Sequence, residues 1–254
     1  MELETMRLER EGKVAHLTLN RPDLLNAMNY QAALDLNRIA EAVRDDPRLR
    51  LLVIRGAGRA FCTGIDLKQL SAGETPYAYY EQWDRALRII ETMDKFAVCA
   101  IHGYALGGGL QLALASDIRI ATEDAQLGLP AINESIIPGL ATFRLPGYVG
   151  WGRAKWMILS GENVDGKRAF EIGLVDQVVP ADQWEDAIEQ TVTRLLETCS
   201  VGARQSKVML GLHADLSQPA FFEEYLRRQR LCIESEDHVE ARLAYREGRA
   251  PVWG

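Results

Sequence analysis

The sequence is poor in cysteine, has no excess of positive charge and contains no long apolar run. Its four cysteines, Cys62, Cys99, Cys199 and Cys232, show no CxxC pair and no metal-ligand spacing with the four histidines. We therefore expect no metal site, and free buried thiols at Cys62 and Cys99 fit a reducing cytosol. The formal net charge of −7 argues against nucleic-acid binding, because neutralising phosphates requires a basic face.

Targeting signals and cofactor motifs are equally scarce. The first 13 residues, MELETMRLEREGK, are charged and lack the apolar core of a secretory signal. No apolar run approaches the roughly 20 residues of a membrane span. The dinucleotide fingerprint, the P-loop and the G-x-S-x-G nucleophile motif are all missing, and His102 fits a strand end with local hydrogen bonds. We expect a soluble cytoplasmic protein that carries no cofactor and does not bind membranes.

The most informative stretch is 98–118, in which a short apolar strand is followed by a glycine-rich turn and a buried helix. Gly107, Gly108 and Gly109 lie at the start of this helix. Bare backbone N–H groups at a helix start favour negative charge, and without a Cβ a substrate atom can approach the main chain. The stretch therefore predicts an oxyanion or phosphate site in preference to tight helix packing.

The remaining pattern predicts an α/β fold with a C-terminal helical extension. Strands alternate with helices at 26–45 and 77–93 in the first half, and helices dominate after Gly150, the last one predicted over 221–249. A second glycine-containing loop, 56–68, also follows a strand. Two backbone donors that converge from these two loops would form an oxyanion hole.

Motifs along almost the whole chain resemble those of the enoyl-CoA hydratase/isomerase, or crotonase, family. They are Asn20-Arg21-Pro22, Asn26-Ala27-Met28-Asn29, Gly58-x-x-Phe61-Cys62-x-Gly64-x-Asp66-Leu67-Lys68, Gly103-Tyr104-Ala105-Leu106-Gly107-Gly108-Gly109, Ser116-Asp117-Ile118-Arg119, Pro138-Gly139, Gly150-x-x-Arg153-Ala154 and Ala169-x-x-x-Gly173-Leu174-Val175. The resemblance implies a spiral of ββα units over 1–195 and a helical extension over 196–254 that contacts other subunits. It also implies a homotrimer or hexamer that acts on acyl-CoA thioesters in fatty acid metabolism.

Residue roles follow from the same resemblance. The thioester enolate would be held by the Ile65 and Gly108 amides, and CoA would be contacted by Ala27, Asp66, Leu67 and Lys68. One of the basic residues Arg242, Arg246 and Arg249 would meet the CoA 3′-phosphate, and which of them does so stays open. The aromatic cluster Tyr77, Tyr79, Tyr80 and Trp83 would border the acyl pocket, although ordinary helix packing explains it as well.

The acid–base positions depart from the family pattern. The two hydratase glutamates are replaced by Gln111 and Ala131, and an amide cannot exchange a proton near neutral pH. Glu134 is the nearest spare carboxylate and shares a helix face with Ala131, but it also fits a solvated helix start. We therefore expect a double-bond isomerase or other α-proton chemistry with Glu134 as base. A hydratase with relocated acid–base groups and a non-catalytic acyl-CoA-binding protein remain as alternatives.

Overall fold

The computed structural model describes all 254 residues, and a six-stranded sheet forms its centre. The strands lie in the order β1-β2-β3-β4-β6-β9, and every neighbouring pair except the antiparallel β1–β2 hairpin is parallel. Their bounds are Met6–Glu11 (β1), Val14–Leu19 (β2), Leu51–Gly56 (β3), Phe96–Ile101 (β4), Ile118–Thr122 (β6) and Gln177–Val179 (β9). The apolar runs in β3 and β4 are buried on both faces, as expected of inner parallel strands.

A second sheet of three short strands gives the fold its spiral. It contains Tyr104–Leu106 (β5), Gln126–Gly128 (β7) and Val164–Asp165 (β8). Strands β4 and β6 of the large sheet are each followed at once by one of these strands, and β5 leads directly into the buried helix Gly108–Leu114 (α4). The predicted ββα spiral is thereby confirmed. The sequence pattern missed β5, β8 and β9, which have only two or three residues each.

Eleven helices surround the two sheets. Their remaining bounds are Tyr30–Asp45 (α1), Leu67–Ser71 (α2), Ala78–Thr92 (α3), Ala141–Val149 (α5), Trp151–Ser160 (α6), Gly166–Glu171 (α7), Trp184–Thr198 (α8), Val201–Leu212 (α9), Gln218–Ile233 (α10) and Glu236–Glu247 (α11). None of them is long and apolar enough to cross a membrane. Helices α1 and α3 pack against each other with their apolar faces buried in the main core.

Three predicted helix bounds were wrong. The single helix over 221–249 is divided into α10 and α11, because Ser235 accepts a hydrogen bond from the His238 amide and starts a new helix. Helix α1 begins at Tyr30, capped by Asn29, whereas Asn26 adopts a left-handed backbone with φ of 56°. The central helix α4 ends at Leu114 and does not extend to Asp117.

The predicted division between residues 195 and 196 falls inside α8, whose apolar face packs against the sheet. The following helix α9 is joined to the sheet region by an ion pair between a buried lysine and a half-buried aspartate. Lys207 Nζ lies 2.9 Å from Asp117 Oδ2 and donates to the Ile90 carbonyl at 2.9 Å. Burial lowers the pKa of Lys207 and raises the pKa of Asp117, since both charged forms lose hydration.

Replacing Lys207 by methionine should destabilise the protein, because Asp117 would lose its cationic partner. Breaking a fully buried pair from one side typically costs about 3–5 kcal/mol, and the 28% exposure of the Asp117 side chain, which also keeps its bond from the Ala97 amide, reduces the expected cost to about 1–3 kcal/mol. The free energy of unfolding, measured by urea titration, should fall by that amount. Lys155→Met, at an exposed position of α6, is the control and should change the unfolding free energy by less than about 0.5 kcal/mol. Equal midpoints for the two variants would contradict the role of the pair.

Candidate active site

One cleft collects most of the predicted site residues. It lies where the loop after β3, the start of α4, helix α3 and the 3-10 turn Pro130–Glu134 meet. Its lining comprises Thr63, Ile65, Leu67, Tyr79, Tyr80, Trp83, Asp84, Gly107, Gly108, Gln111, Pro130, Ala131, Glu134, Ile136, Ile137, Pro138 and Gly139. Helix α3 contributes three aromatic side chains and Asp84 to the lining, and the start of α4 contributes Gly107 and Gly108.

The two glycine loops touch at this cleft. Gly64 has φ of +88°, and a Cβ at this position would lie 2.9 Å from the Gly108 nitrogen and 2.7 Å from the Leu106 carbonyl oxygen. The Leu106 amide donates to the Cys62 carbonyl at 2.9 Å, which holds the loops in register. Only glycine combines this backbone angle with so close an approach. The loop after β3 and the start of α4 are thus held together by their glycines.

The Ile65 and Gly108 amides make no hydrogen bond to any backbone or side-chain acceptor. Gly108 is the first residue of α4, where the N–H has no acceptor within the helix. The neighbouring Gly107 amide is different, since it donates to the Gly128 carbonyl at 2.9 Å. Two free donors beside one cleft can stabilise a developing oxyanion.

Buried polar contacts fix the first of these loops. The Asn26 side chain donates to the carbonyls of Ala57, Ala60 and Phe61 at 2.9, 2.8 and 3.1 Å. Cys62 is a fully buried residue of this loop, and burial raises the pKa of its thiol to about 12. The thiol therefore stays protonated and cannot act as a nucleophile near neutral pH.

The residues expected to contact CoA lie on the outer side of the same loop. Asp66 pairs with Arg21 at 3.1 Å, and the same guanidinium donates to the Ala27 carbonyl. Leu67 and Lys68 follow at the exposed start of α2, with Leu67 also lining the cleft. Arg21 thus joins Ala27 to the 66–68 segment, an arrangement that the sequence pattern alone did not indicate.

Gln111, Ala131 and Glu134 all line the cleft. Gln111 projects from α4 and is 8% exposed, and its Oε1 atom has no hydrogen-bond donor. Ala131 and Glu134 lie on the 3-10 turn, at opposite ends of one helical turn. The half-buried Glu134 therefore shares the cleft with the free amide of Gly108.

Asp84 is a cleft residue that the sequence reasoning missed. It projects from α3, and burial raises the pKa of its carboxyl although the Arg144 guanidinium opposes this at 3.6 Å. No local motif marks the residue, because α3 reads as an ordinary amphipathic helix. The one sequence feature that points to Asp84 is its position next to Trp83, a member of the aromatic cluster expected to border the acyl pocket.

Three residues of the aromatic cluster line the cleft, and two of these also pack in the core. Tyr79 and Trp83 are buried in the core, with nearly parallel rings 6.3 Å apart, and they also line the cleft together with Tyr80. Tyr77 is 78% exposed and lies outside the cleft. His102 is bound locally as expected, its Nε2 donating to the Gly58 carbonyl at 2.9 Å.

The C-terminal arginines differ in their partners. Arg249 is engaged by Glu240 and Glu247 at 2.5 and 2.7 Å. Arg242 and Arg246 form no ion pair and lie together beside an open depression on α11. Of the three, these two are available to an anionic group.

A parallel-sheet spiral with two free amides beside a partly apolar cleft is an arrangement suited to stabilising an oxyanion. Residues 9–254 match the family model for enoyl-CoA hydratase/isomerase. A crotonyl-CoA hydratase of Syntrophomonas wolfei is 34% identical over 98% of this chain and 97% of its own. A short-chain-enoyl-CoA hydratase of Clostridium acetobutylicum is 31% identical over 98% and 97%. An enoyl-CoA hydratase structure from Bacillus anthracis superposes with a TM-score of 0.90 at 28% identity, covering 98% of this chain and 99% of that one.

The chain belongs to the enoyl-CoA hydratase/isomerase family. This confirms the resemblance drawn from the glycine motifs and the α/β spiral fold. The membership makes the protein an enzyme of this family and implies an acyl-CoA substrate.

Proposed function

We propose that the protein binds a CoA thioester with its carbonyl oxygen between the Ile65 and Gly108 amides and shifts a double bond by moving an α-proton. The observation that carries this proposal is the pair of free amides beside a cleft that also contains Glu134. The amides stabilise the dienolate that forms when the α-proton leaves. Glu134 is the base, and CoA lies along Ala27, Asp66, Leu67 and Lys68.

Isomerisation fits the side chains at positions 111 and 131, where the two hydratase glutamates are replaced. Water addition needs one group to activate water and another to deliver a proton, and both must titrate. Neither Gln111 nor Ala131 does so. An α-proton shift makes smaller demands, because a single carboxylate can take the proton from one carbon and return it to another.

Hydration is the second candidate, and two observations favour it. The relatives described above are named hydratases, and Asp84 supplies a second carboxyl group to the cleft. Together with Glu134 it could replace the two missing glutamates. Wild-type turnover of a 2-enoyl-CoA to the 3-hydroxyacyl-CoA, compared with turnover of a 3-enoyl-CoA to the 2-enoyl isomer, separates the two reactions.

The central test is exchange of the α-protons of butyryl-CoA in deuterated buffer. Exchange needs only thioester binding, the oxyanion hole and one base, so the wild-type protein should catalyse it. Isothermal titration with butyryl-CoA should show binding in parallel. Binding without exchange would indicate a non-catalytic acyl-CoA-binding protein, and absence of both would contradict the proposed function.

We further propose that α8–α11 form a homotrimer or hexamer contact. Large apolar side chains of this region are exposed, among them Leu210 at 78% and Tyr245 at 89%. Burying such surface against another copy is favourable by about 25 cal/mol per Å². Sedimentation at micromolar concentration should give a trimer or hexamer, and a monomer alone would contradict this. In such an assembly Arg242 or Arg246 would meet the CoA phosphate.

A further inference from the structure

Asp84 is a carboxyl group of the cleft for which the one-base mechanism has no use. Its side chain is 25% exposed, and its Oδ1 atom has no hydrogen-bond donor within the protein. It enters the cleft from α3, whereas Glu134 enters from the 3-10 turn. Two carboxyl groups therefore reach the cleft from separate elements of the fold.

The ion pairs around Asp84 do not require its charge. The buried Arg144 already holds Glu91 in a two-bonded contact, through Nε at 3.1 Å and Nη2 at 3.2 Å. Its Nη1 atom lies 3.6 Å from Asp84, which is too long for a hydrogen bond, and Nη1 has no acceptor. Glu91 and not Asp84 is thus the main counter-charge of Arg144. The other titratable groups of the cleft are Glu134, Tyr80 and the buried Tyr79.

Gln111 faces Asp84 across a glycine. A Cβ built on Gly139 would lie 2.5 Å from Gln111 Oε1 and 3.5 Å from Asp84 Oδ2, so both side chains border the space beside this glycine. Gly139 has φ of +48°, and its missing side chain leaves this space open. A half-turn of the amide presents either oxygen or NH₂ to the carboxyl. The two side chains make no hydrogen bond in the structure, but a rotation that brought them together would let Gln111 bind Asp84 in either protonation state.

We propose that Asp84 is a catalytic acid of this cleft, held by Gln111, and that it delivers the proton of the second half-reaction. The inference rests on the proposed isomerase function. Burial raises the pKa of the Asp84 carboxyl, which favours the neutral, proton-donating form. A glutamine at position 111 then serves to position this acid.

The proton steps balance as follows. Glu134 removes the α-proton of a 3-enoyl-CoA, and the C–H electrons move through the conjugated system onto the thioester oxygen between the two amides. The Asp84 hydroxyl proton then passes to the γ-carbon, and the dienolate electrons form the new C–H bond and the 2,3 double bond. Glu134 is left protonated and Asp84 ionised, and proton exchange with water restores both. No external oxidant or reductant is needed.

Isotope tracing in deuterated water tests this assignment directly. Asp84 takes up deuterium from solvent before each turnover, so wild-type product should carry solvent deuterium at the γ-carbon. A one-base shuttle by Glu134 would instead carry some of the original α-proton to that carbon. Substantial α-to-γ transfer of protium in the wild-type protein would overturn the proposal.

The matched variant is Asp84→Asn, with Glu81→Gln as the control. Glu81 is an exposed carboxylate on the same helix and lies outside the cleft, so its replacement should leave every rate unchanged. Asp84→Asn should lose about 10²-fold or more in isomerisation, and its residual product should carry protium moved by Glu134 alone. Butyryl-CoA α-exchange, which needs only the base, should persist within about tenfold.

Three results would count against Asp84. Isomerisation by Asp84→Asn within threefold of wild type would remove the catalytic role. Equal losses of exchange and isomerisation would indicate general damage to the cleft, as a purely structural partner of Arg144 would cause. The third result would be a wild-type isomerisation rate that does not fall as the pH rises through the pKa of Asp84. A general acid must be protonated to act, so its rate should fall over that range. If the wild-type protein shows neither binding nor exchange, the proposed function itself fails and the role of Asp84 with it.

Discussion

Replacing Gly108 by valine should reduce kcat for any acyl-CoA reaction by about 10²–10³-fold, the usual cost of losing one oxyanion donor. A Cβ at this position would lie 3.4 Å from both Gly64 Cα and Trp83 Cζ2, in van der Waals contact before any further atoms are added. The two additional methyl groups of valine would have to enter the cleft and cover the Gly108 and Ile65 amides. The thioester oxygen could then no longer reach both donors.

Measuring thioester binding and folding distinguishes the loss of an oxyanion donor in Gly108→Val from unfolding of the protein. Steady-state kinetics and butyryl-CoA titration should be compared with Gly152→Val, because a Cβ at Gly152 meets no atom within 4 Å. That control should retain its activity. The kcat of Gly108→Ala should lie between that of Gly108→Val and that of the wild-type protein, since its single methyl group only touches Gly64 and Trp83. A Gly108→Val protein with normal kcat and a native thermal unfolding profile would contradict the placement of the oxyanion hole.

Parts of the fold with a strong local signal could be predicted from the sequence. The inner strands β3 and β4 are continuous apolar runs, and α3 has a clear amphipathic repeat. Strands β8 and β9 have two and three residues, and their pairing depends on distant segments that no local pattern reveals. The break between α10 and α11 depends on one capping serine in an otherwise helical stretch, so periodicity alone extended the helix across it.

The residues of the candidate site also differ in how far the sequence alone could predict them. Gly64 and Gly108 could be placed from sequence because both belong to glycine motifs, and at Gly64 the close backbone approach demands glycine. Asp84 could not, because only the tertiary fold brings it from α3 into the cleft that contains Gln111 and Gly139. The residue type at position 111 by itself indicates a lost acid–base group. In the structure Gln111 lines the same cleft as a carboxyl contributed by another helix.

Glu134, unlike Asp84, could be identified from the sequence by its spacing from Ala131. The structure places it in the cleft, half-buried, with Ile136 and Ile137 also in the lining. Its neighbour Asn133 is exposed and lies outside the cleft. Position on the turn therefore separates a residue that can meet the substrate from one that cannot.

Glu134→Gln should abolish both α-proton exchange of butyryl-CoA and isomerisation of a 3-enoyl-CoA, each by about 10²–10⁴-fold, the usual contribution of a positioned base. The amide keeps the shape of the side chain but cannot accept the proton. Binding of butyryl-CoA should change little, because the amides and the CoA-contacting residues are untouched, and Asn133→Ala should behave as wild type. This pattern differs from that of Asp84→Asn, which should lose isomerisation and keep exchange. If Glu134→Gln instead kept exchange and Asp84→Asn lost it, the base and acid would be reversed. If both variants exchanged at the wild-type rate, the base would have to be another group.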